Sequence, residues 1–259
     1  MRYTVPITLT KANQNSNDPL FIPVDNYVGP LLRAIKIGLQ KTNYGFYEKM
    51  YANGHKVKNF AMAVNFPKAT YKDKKIYPAN IHGNMRIHFS TNDPQTALGY
   101  FNAFQQMRAA HHMNLNEEVR FTVGTPIIEH EKTATHDAII VKAMSPIVLT
   151  DGPRGKYINY ANLNPNEYTA DNEAYTASLR ASIKNHLTKP ELIPYVNSLQ
   201  ILPVKTRGTV LSLFGSYISA TTGQFALQGH PKLLNELLQN GIGSKRGCFC
   251  GMLKLIEEI

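Results

Sequence analysis

The segment Gly241-Ile242-Gly243-Ser244-Lys245-Arg246-Gly247 sets three glycines around one hydroxyl and two cations. Glycine lets a backbone approach a neighbour closely, and Ser244, Lys245 and Arg246 carry donors of the kind phosphate oxygens accept from. A dinucleotide fingerprint is excluded, because Arg246 stands where G-x-G-x-x-G needs its third glycine. The order of elements is also reversed. The loop follows a predicted helix and precedes an apolar run, whereas Rossmann and P-loop sites pass from strand to helix. The same residues also fit an ordinary turn in which a glycine closes a helix.

A second concentration of chemistry lies upstream. Between Lys36 and Arg86 there are ten cations, among them Lys56, Lys58, Lys72, Lys74 and Lys75, against Glu48 and Asp73. That stretch holds +8 of a chain whose net charge is +10. Such an excess suits a polyanion, and nucleic acid is expected ahead of a membrane surface, since no basic segment is amphipathic with exposed aromatics. Tyr44, Tyr47 and Tyr51 are interleaved with Lys41 and Lys49, which fits either base stacking or helix packing. His82, Asn84, Arg86 and His88 share one face of a predicted strand. His111-His112 falls at a helix end, where the dipole accounts for it. Cys248 and Cys250 are too close for an unstrained disulfide and too few for a thiolate zinc site, so they read as small core residues in a reducing compartment. No metal and no cofactor are expected.

The elements that position these residues follow from periodicity. The chain has 259 residues, 43% of them hydrophobic, which excludes disorder. No run approaches the roughly 18 apolar residues of a spanning helix, and the first residues are too polar for a signal peptide, so a soluble cytoplasmic protein without a membrane partner is expected. Val5, Ile7 and Leu9 alternate as a strand; Leu31, Leu32, Ile35 and Leu39 form a helix stripe after Gly29-Pro30, followed by a helical turn from Tyr44 to Ala52. Phe60, Met62, Val64 and Phe66 make a second strand, and Ile81, Met85, Ile87 and Phe89 a third. Asp93-Pro94 starts a helix with the stripe Ala97, Leu98, Phe101 and Phe104, and Val119, Phe121 and Val123 close the half. The order then returns: strand Ala138 to Leu149, a helix with Tyr175, Leu179, Ile183 and Leu187, apolar segments near Leu199 to Val204 and Val210 to Ile218, a helix from Pro231 stopped at Gly241, and a strand Cys248 to Ile256. Each half reads βαββαβ. The expected fold is α+β, two tandem ferredoxin-like (RRM-like) domains, 1–134 and 135–259. Helices cover one sheet face only, and the His82/Arg86/His88 face is open to a partner such as RNA.

Gly223-Gln224-Phe225-Ala226-Leu227-Gln228-Gly229, the leucine helix and the loop Gly241 to Arg246 running to Gly251-Met252 together resemble the C-terminus of the Cas6 family of CRISPR RNA-processing endoribonucleases. Ser145-Pro146-Ile147-Val148 and Lys58-Asn59-Phe60-Ala61-Met62-Ala63 resemble further strands of that family. The resemblance implies tandem ferredoxin-like domains that bind CRISPR repeat RNA, precursor and processed, and cut it without metal. Many members carry a catalytic histidine just before a glycine at the end of the first helical region. Here that stretch is Lys49-Met50-Tyr51-Ala52-Asn53-Gly54, and Tyr51 holds the position.

Metal-free cleavage uses the substrate's 2′-hydroxyl as nucleophile, so the protein must align it, move two protons and stabilise a dianionic phosphorane. His55, four residues beyond the implied site, is the candidate base or acid, with His82 and His88 as alternatives. Lys58 or Lys56 would stabilise charge and Tyr47 or Tyr51 orient the sugar or phosphate. Arg86, Lys56 and the loop residues Gly241, Gly243, Ser244, Lys245, Arg246 and Gly247 are the expected RNA contacts, in a monomer or homodimer. The alternative is a cleavage-incompetent module that holds guide RNA among other CRISPR effector subunits.

Overall fold

The computed structural model describes residues 1–15, 17–52, 57–79, 84–150, 155–159 and 170–259. His55, Lys56 and His82 lie outside the described residues. In chain order the first elements are β1 (Arg2–Lys11), β2 (Ile22–Pro23), α1 (Val28–Thr42), α2 (Tyr44–Tyr47), a π-helical turn (Glu48–Ala52), β3 (Phe60–Asn65), β4 (Thr70–Lys72), β5 (Lys75–Tyr77), β6 (Asn84–Thr91), α3 (Pro94–Ala109), β7 (Met113–Asn114), β8 (Val119–Val123) and β9 (Ile127–Glu129). There follow β10 (Ala138–Ala143), β11 (Leu149–Thr150), β12 (Tyr157–Ile158), α4 (Ala170–His186), α5 (Ile193–Ser198), β13 (Gln200–Leu213), β14 (Ser216–Gln228), α6 (Pro231–Asn240), a 3-10 turn (Arg246–Cys248) and β15 (Leu253–Glu258).

Two antiparallel sheets organise the chain. The first runs β3-β6-β1-β8, with β7 and β9 at its margin, and the second runs β13-β14-β10-β15. In both, the first and third strands of the βαββαβ order lie inside and the second and fourth outside, the ferredoxin-like arrangement that the sequence predicts. A third, small sheet, β2-β5-β4, is inserted in the first half. No helix among the described residues is long and apolar enough to cross a membrane.

The parity of β1 decides its facing. Tyr3, Val5, Ile7 and Leu9 are buried under α1 and α3, where Gly38 lies so near Ala103 that a Cβ would stand 2.8 Å from its carbonyl oxygen. In the second half Leu233, Leu234 and Leu237 of α6 and Tyr175, Leu179 and Ile183 of α4 cover Ile139, Val141, Phe225 and Leu253. Each such side chain, fully buried, contributes roughly 1.5 to 3 kcal/mol.

Four boundaries and facings differ from expectation. On α3 the buried residues are Ala97, Tyr100, Phe104 and Met107, while Leu98 is 61% exposed. A stripe three to four residues apart runs through Ala97 and Tyr100, and Leu98 falls off it by one position. The strand from Ala138 ends at Ala143 and the chain resumes as β11, because Ser145 turns inward to donate to the Met62 carbonyl at 3.0 Å. The final strand begins at Leu253, since Phe249 (φ 60°) and Gly251 (φ 70°) break extended backbone before it. The apolar segments 199–204 and 210–218 belong to one long hairpin, β13–β14, paired from Gln200 with Gln228 to Leu213 with Ser216.

The halves share interior. Ala61 and Ala63 of β3 pack with Met252 and Met144. Arg2 donates to the carbonyls of Leu238 (3.0 Å) and Leu253 (2.6 Å), and Asn92 donates to Glu236 at 2.6 Å. Leu213, Ile218 and Ala220 of the long hairpin, with Val148, Phe249 and Cys250, join the core of the first half.

Candidate nucleic-acid interface

The connection from α1 to β3 turns back across α1 through the π-helical turn, and this return brings Tyr51 against residues 15 positions earlier. The Lys36 ammonium lies 4.8 Å and the Lys58 ammonium 4.4 Å from the centre of the Tyr51 ring. Lys58 also donates to the Met50 carbonyl. The rings of Tyr47 and Tyr51 are 5.7 Å apart, continuing to Tyr44 6.1 Å from Tyr47. The Tyr51 hydroxyl is hydrogen-bonded to that of the fully buried Tyr100. Burial pushes the Tyr51 phenol up to about 12 although that bond opposes the shift, so it stays protonated at neutral pH. A protonated phenol tied to Tyr100 is a poor proton acceptor at that pH.

The glycine loop of the second half closes on this turn. A Cβ on Gly247 would stand 3.3 Å from the Phe60 ring and 3.5 Å from the Lys58 side chain. Burial raises the Cys248 thiol, with the positive charges of Lys245, Lys36 and Lys58 opposing. Lys245 is exposed, with its ammonium 6.0 Å from the Tyr157 ring. Lys36 and Lys58 beside the Tyr51 face, and Lys245 beside that of Tyr157, are groups of the kind that can hold a phosphate with a base or ribose at its edge.

Within the loop the sequence-predicted contacts separate. Lys245 points outward and Ser244 is half-buried, its N–H donating to the Val148 carbonyl at 2.8 Å. Arg246 turns inward: it is 5% exposed and donates to the Asn240 carbonyl at 2.8 Å. Burial lowers its guanidinium to about 10, with Glu236 opposing. The close approach that the glycines allow is to the chain itself. Gly241 (φ 73°) would set a Cβ 2.6 Å from the Ala61 side chain, and Gly243 (φ 75°) one 2.7 Å from the Val148 carbonyl oxygen. Gly241 brings the second half against Ala61 of the first, Gly243 packs on the second half's own Val148, and Lys245 is the exposed cation of the loop.

On the face of β6 expected to be open, Arg86 is exposed but His88 is 8% exposed, bonded at Nδ1 to Thr4 Oγ1 at 2.7 Å and 3.4 Å from Glu129. Burial lowers its pKa, Glu129 opposing, so His88 is a neutral strut between strands. Cys250 is fully buried and Cys248 half-buried, both free, in the turn before β15 and not on it. Lys36 and Tyr157 join the site without having been singled out in the sequence. Lys36 carries no local signal, because it counts as one cation among ten until the chain folds back on it. Among the described residues no three of His, Cys, Asp and Glu come together as a metal-ligand group.

Three comparisons bear on what this arrangement belongs to. Residues 129–255 match the family described as CRISPR associated protein Cas6, C-terminal. No curated protein matches the chain. Among solved structures the chain is similar to an RAMP protein binding different RNA substrates (17% identity, 98% of this chain and 100% of that one, TM-score 0.72). It is similar to the product of a Cas6-related gene from Pyrococcus furiosus (18%, 100% of both chains, 0.71) and to a Cas6 product complex (14%, 99% and 100%, 0.62). At these identities the solved structures show the tandem ferredoxin-like fold over the whole length, and within it residues 129–255 match the C-terminal domain of the CRISPR-associated Cas6 family.

Proposed function

We propose that this protein binds the repeat of precursor CRISPR RNA where its two halves meet and cleaves it without metal. The observation that carries the reading is that Lys36 and Lys58 flank the Tyr51 ring while the loop that carries Lys245 packs against Lys58 through Gly247. In the proposed reaction the substrate's 2′-oxygen forms a bond to the adjacent phosphorus and loses its proton to a base, while the bond from phosphorus to the 5′-oxygen breaks and that oxygen takes a proton. The products are a 2′,3′-cyclic phosphate and a 5′-hydroxyl. The lysines offset the added negative charge of the phosphorane, Tyr47 and Tyr51 orient the sugar or phosphate, and His55 is the base or acid.

A second reading, a repeat-binding subunit that does not cut, is favoured by one observation. Tyr51, in the position of the family's histidine, has its hydroxyl tied to Tyr100 and its phenol raised to about 12. Incubating purified protein with repeat RNA in EDTA separates the two. Cleavage with a cyclic-phosphate end, abolished by a single 2′-deoxy substitution at the scissile nucleotide, supports the nuclease; binding without any product supports the second reading.

A further inference from the structure

The hairpin β4–β5 stands outside the repeated βαββαβ order and, among the described residues, pairs with β2 alone. Its register sets Lys72 directly opposite Lys75, and the two residues between them, Asp73 and Lys74, both take left-handed backbone at φ 51° and 58°. Like charges facing each other across a strand pair oppose folding, and so does a side chain at positive φ. The hairpin keeps both features at an exposed tip. Lys68, Lys72 and Lys74 are exposed, as is Tyr71 at 62%. The Lys75 ammonium lies 4.0 Å from the centre of the Phe21 ring, which adjoins Tyr77 at 6.1 Å. Four lysines thus stand against Asp73 with an exposed tyrosine among them.

The chain leading into the hairpin rests on the core that also holds the junction turn: the Tyr27 ring meets Phe66 at 5.3 Å, and Tyr27, Ala69 and Cys248 pack against the cluster that contains Cys250. Cations alternating with an open aromatic face match single-stranded RNA, whose phosphates take the ammonium groups and whose unpaired bases stack. A duplex offers no free base face to Tyr71.

We infer that the β4–β5 hairpin is a second RNA contact, a platform for single-stranded nucleotides flanking those at the junction. Lys72 and Lys74 take phosphates and Tyr71 stacks on a base. This rests on the reading that the chain binds repeat RNA. The test measures binding of fluorescent repeat RNA across a salt series by full-length wild type, Lys72→Ala with Lys74→Ala, Tyr71→Ala and, as a junction control, Lys245→Ala. The double variant lowers the salt slope by about 1.4, at roughly 0.7 per lost contact on a single strand. Tyr71→Ala weakens binding about 5- to 150-fold at unchanged slope. In the wild type, 4-thiouridine at flanking positions crosslinks to the peptide containing Tyr71, a readout that needs no variant. Wild-type affinity and slope in both hairpin variants, with Lys245→Ala still weakened, overturns the platform and leaves the proposed function standing. A wild-type protein that binds no repeat RNA overturns both.

Discussion

The connection after α1 and the connection after α6 occupy equivalent kinds of place in the two halves, each leading from a helix into a strand of a ferredoxin-like sheet. They are built from opposite materials. The first is made of side chains: Tyr47, Tyr51 and Lys58 converge with Lys36 through ring contacts and ammonium groups. The second is made of backbone: Gly241, Gly243, Lys245, Phe249 and Gly251 all take positive φ, and its one conspicuous cation besides Lys245 is turned inside. One connection supplies charge, and the other supplies the shape that holds a single charge beside it. Strand order alone therefore says little about where chemistry sits in a repeated fold.

The largest expected effect concerns the first connection. His55→Ala lowers the single-turnover cleavage rate by about 10² to 10⁴ with affinity nearly unchanged, as for loss of general acid or base catalysis. Tyr51→Phe, measured beside it, changes the rate only a few-fold. A severe loss in Tyr51→Phe together with a normal rate in His55→Ala would move the chemistry onto the tyrosine.

The second connection is tested by neighbours of opposite facing. Arg246→Ala lowers unfolding free energy by about 1 to 3 kcal/mol, because it leaves the buried Asn240 carbonyl without its donor while Glu236 keeps its ion pair with Lys189. Lys245→Ala leaves the urea midpoint unchanged and lowers the salt slope of RNA binding by about 0.7. Equal effects of the two substitutions on stability would erase the distinction between shape and charge.

Lys58→Met is expected to cost about 10² to 10³ in single-turnover rate, the scale for removing one group that stabilises transition-state charge. A loss confined to affinity, with the saturated rate intact, would make the junction a docking site only.

The smallest effect is on pH dependence. His88 and His186 both have pKa values lowered by burial, so the unfolded chain binds more protons than the folded one as pH falls past about 6.5. Their contribution is complete above that pH and is lost as pH falls through the folded values. Urea midpoints measured from pH 7.5 to 5.5 should fall with acidification, and His88→Gln should flatten the trend. A midpoint that rises toward pH 5.5 would contradict it.

Much of the fold was legible because parity and caps are local. Val5, Ile7 and Leu9 revealed their shared face, Pro231 and Gly241 bracketed α6, and Asp93 capped α3 as its position suggested. What escaped depends on partners distant in sequence. Leu98 and Tyr100 are both apolar enough for a core, and only the stacking of Tyr100 on Phe89, with Phe60 beside it, selects the second. Arg246 reads as a phosphate ligand beside Lys245 until Glu236 and the Asn240 carbonyl draw it inward. His88 was expected in the open because alternation placed it opposite the core, but β9 arrives beside β1 and brings Glu129 over it. The lysines at the junction were counted in the sequence as charge, and their convergence required the chain to double back.

The long hairpin β13–β14 has a consequence for the order of events during synthesis. Leu213, Ile218 and Ala220, with Phe249 and Cys250, complete a core whose other members begin at Tyr3. A nascent chain that has released only its first half carries the strands and helices of the first sheet with part of its apolar surface uncovered. Contacts spanning more than 200 residues close late and slowly, since loop entropy opposes them until the partner is made. The N-terminal half thus waits for the C-terminal half, and the junction of Lys36 and Lys58 with the loop that carries Lys245 forms only when the last segment of the chain has docked.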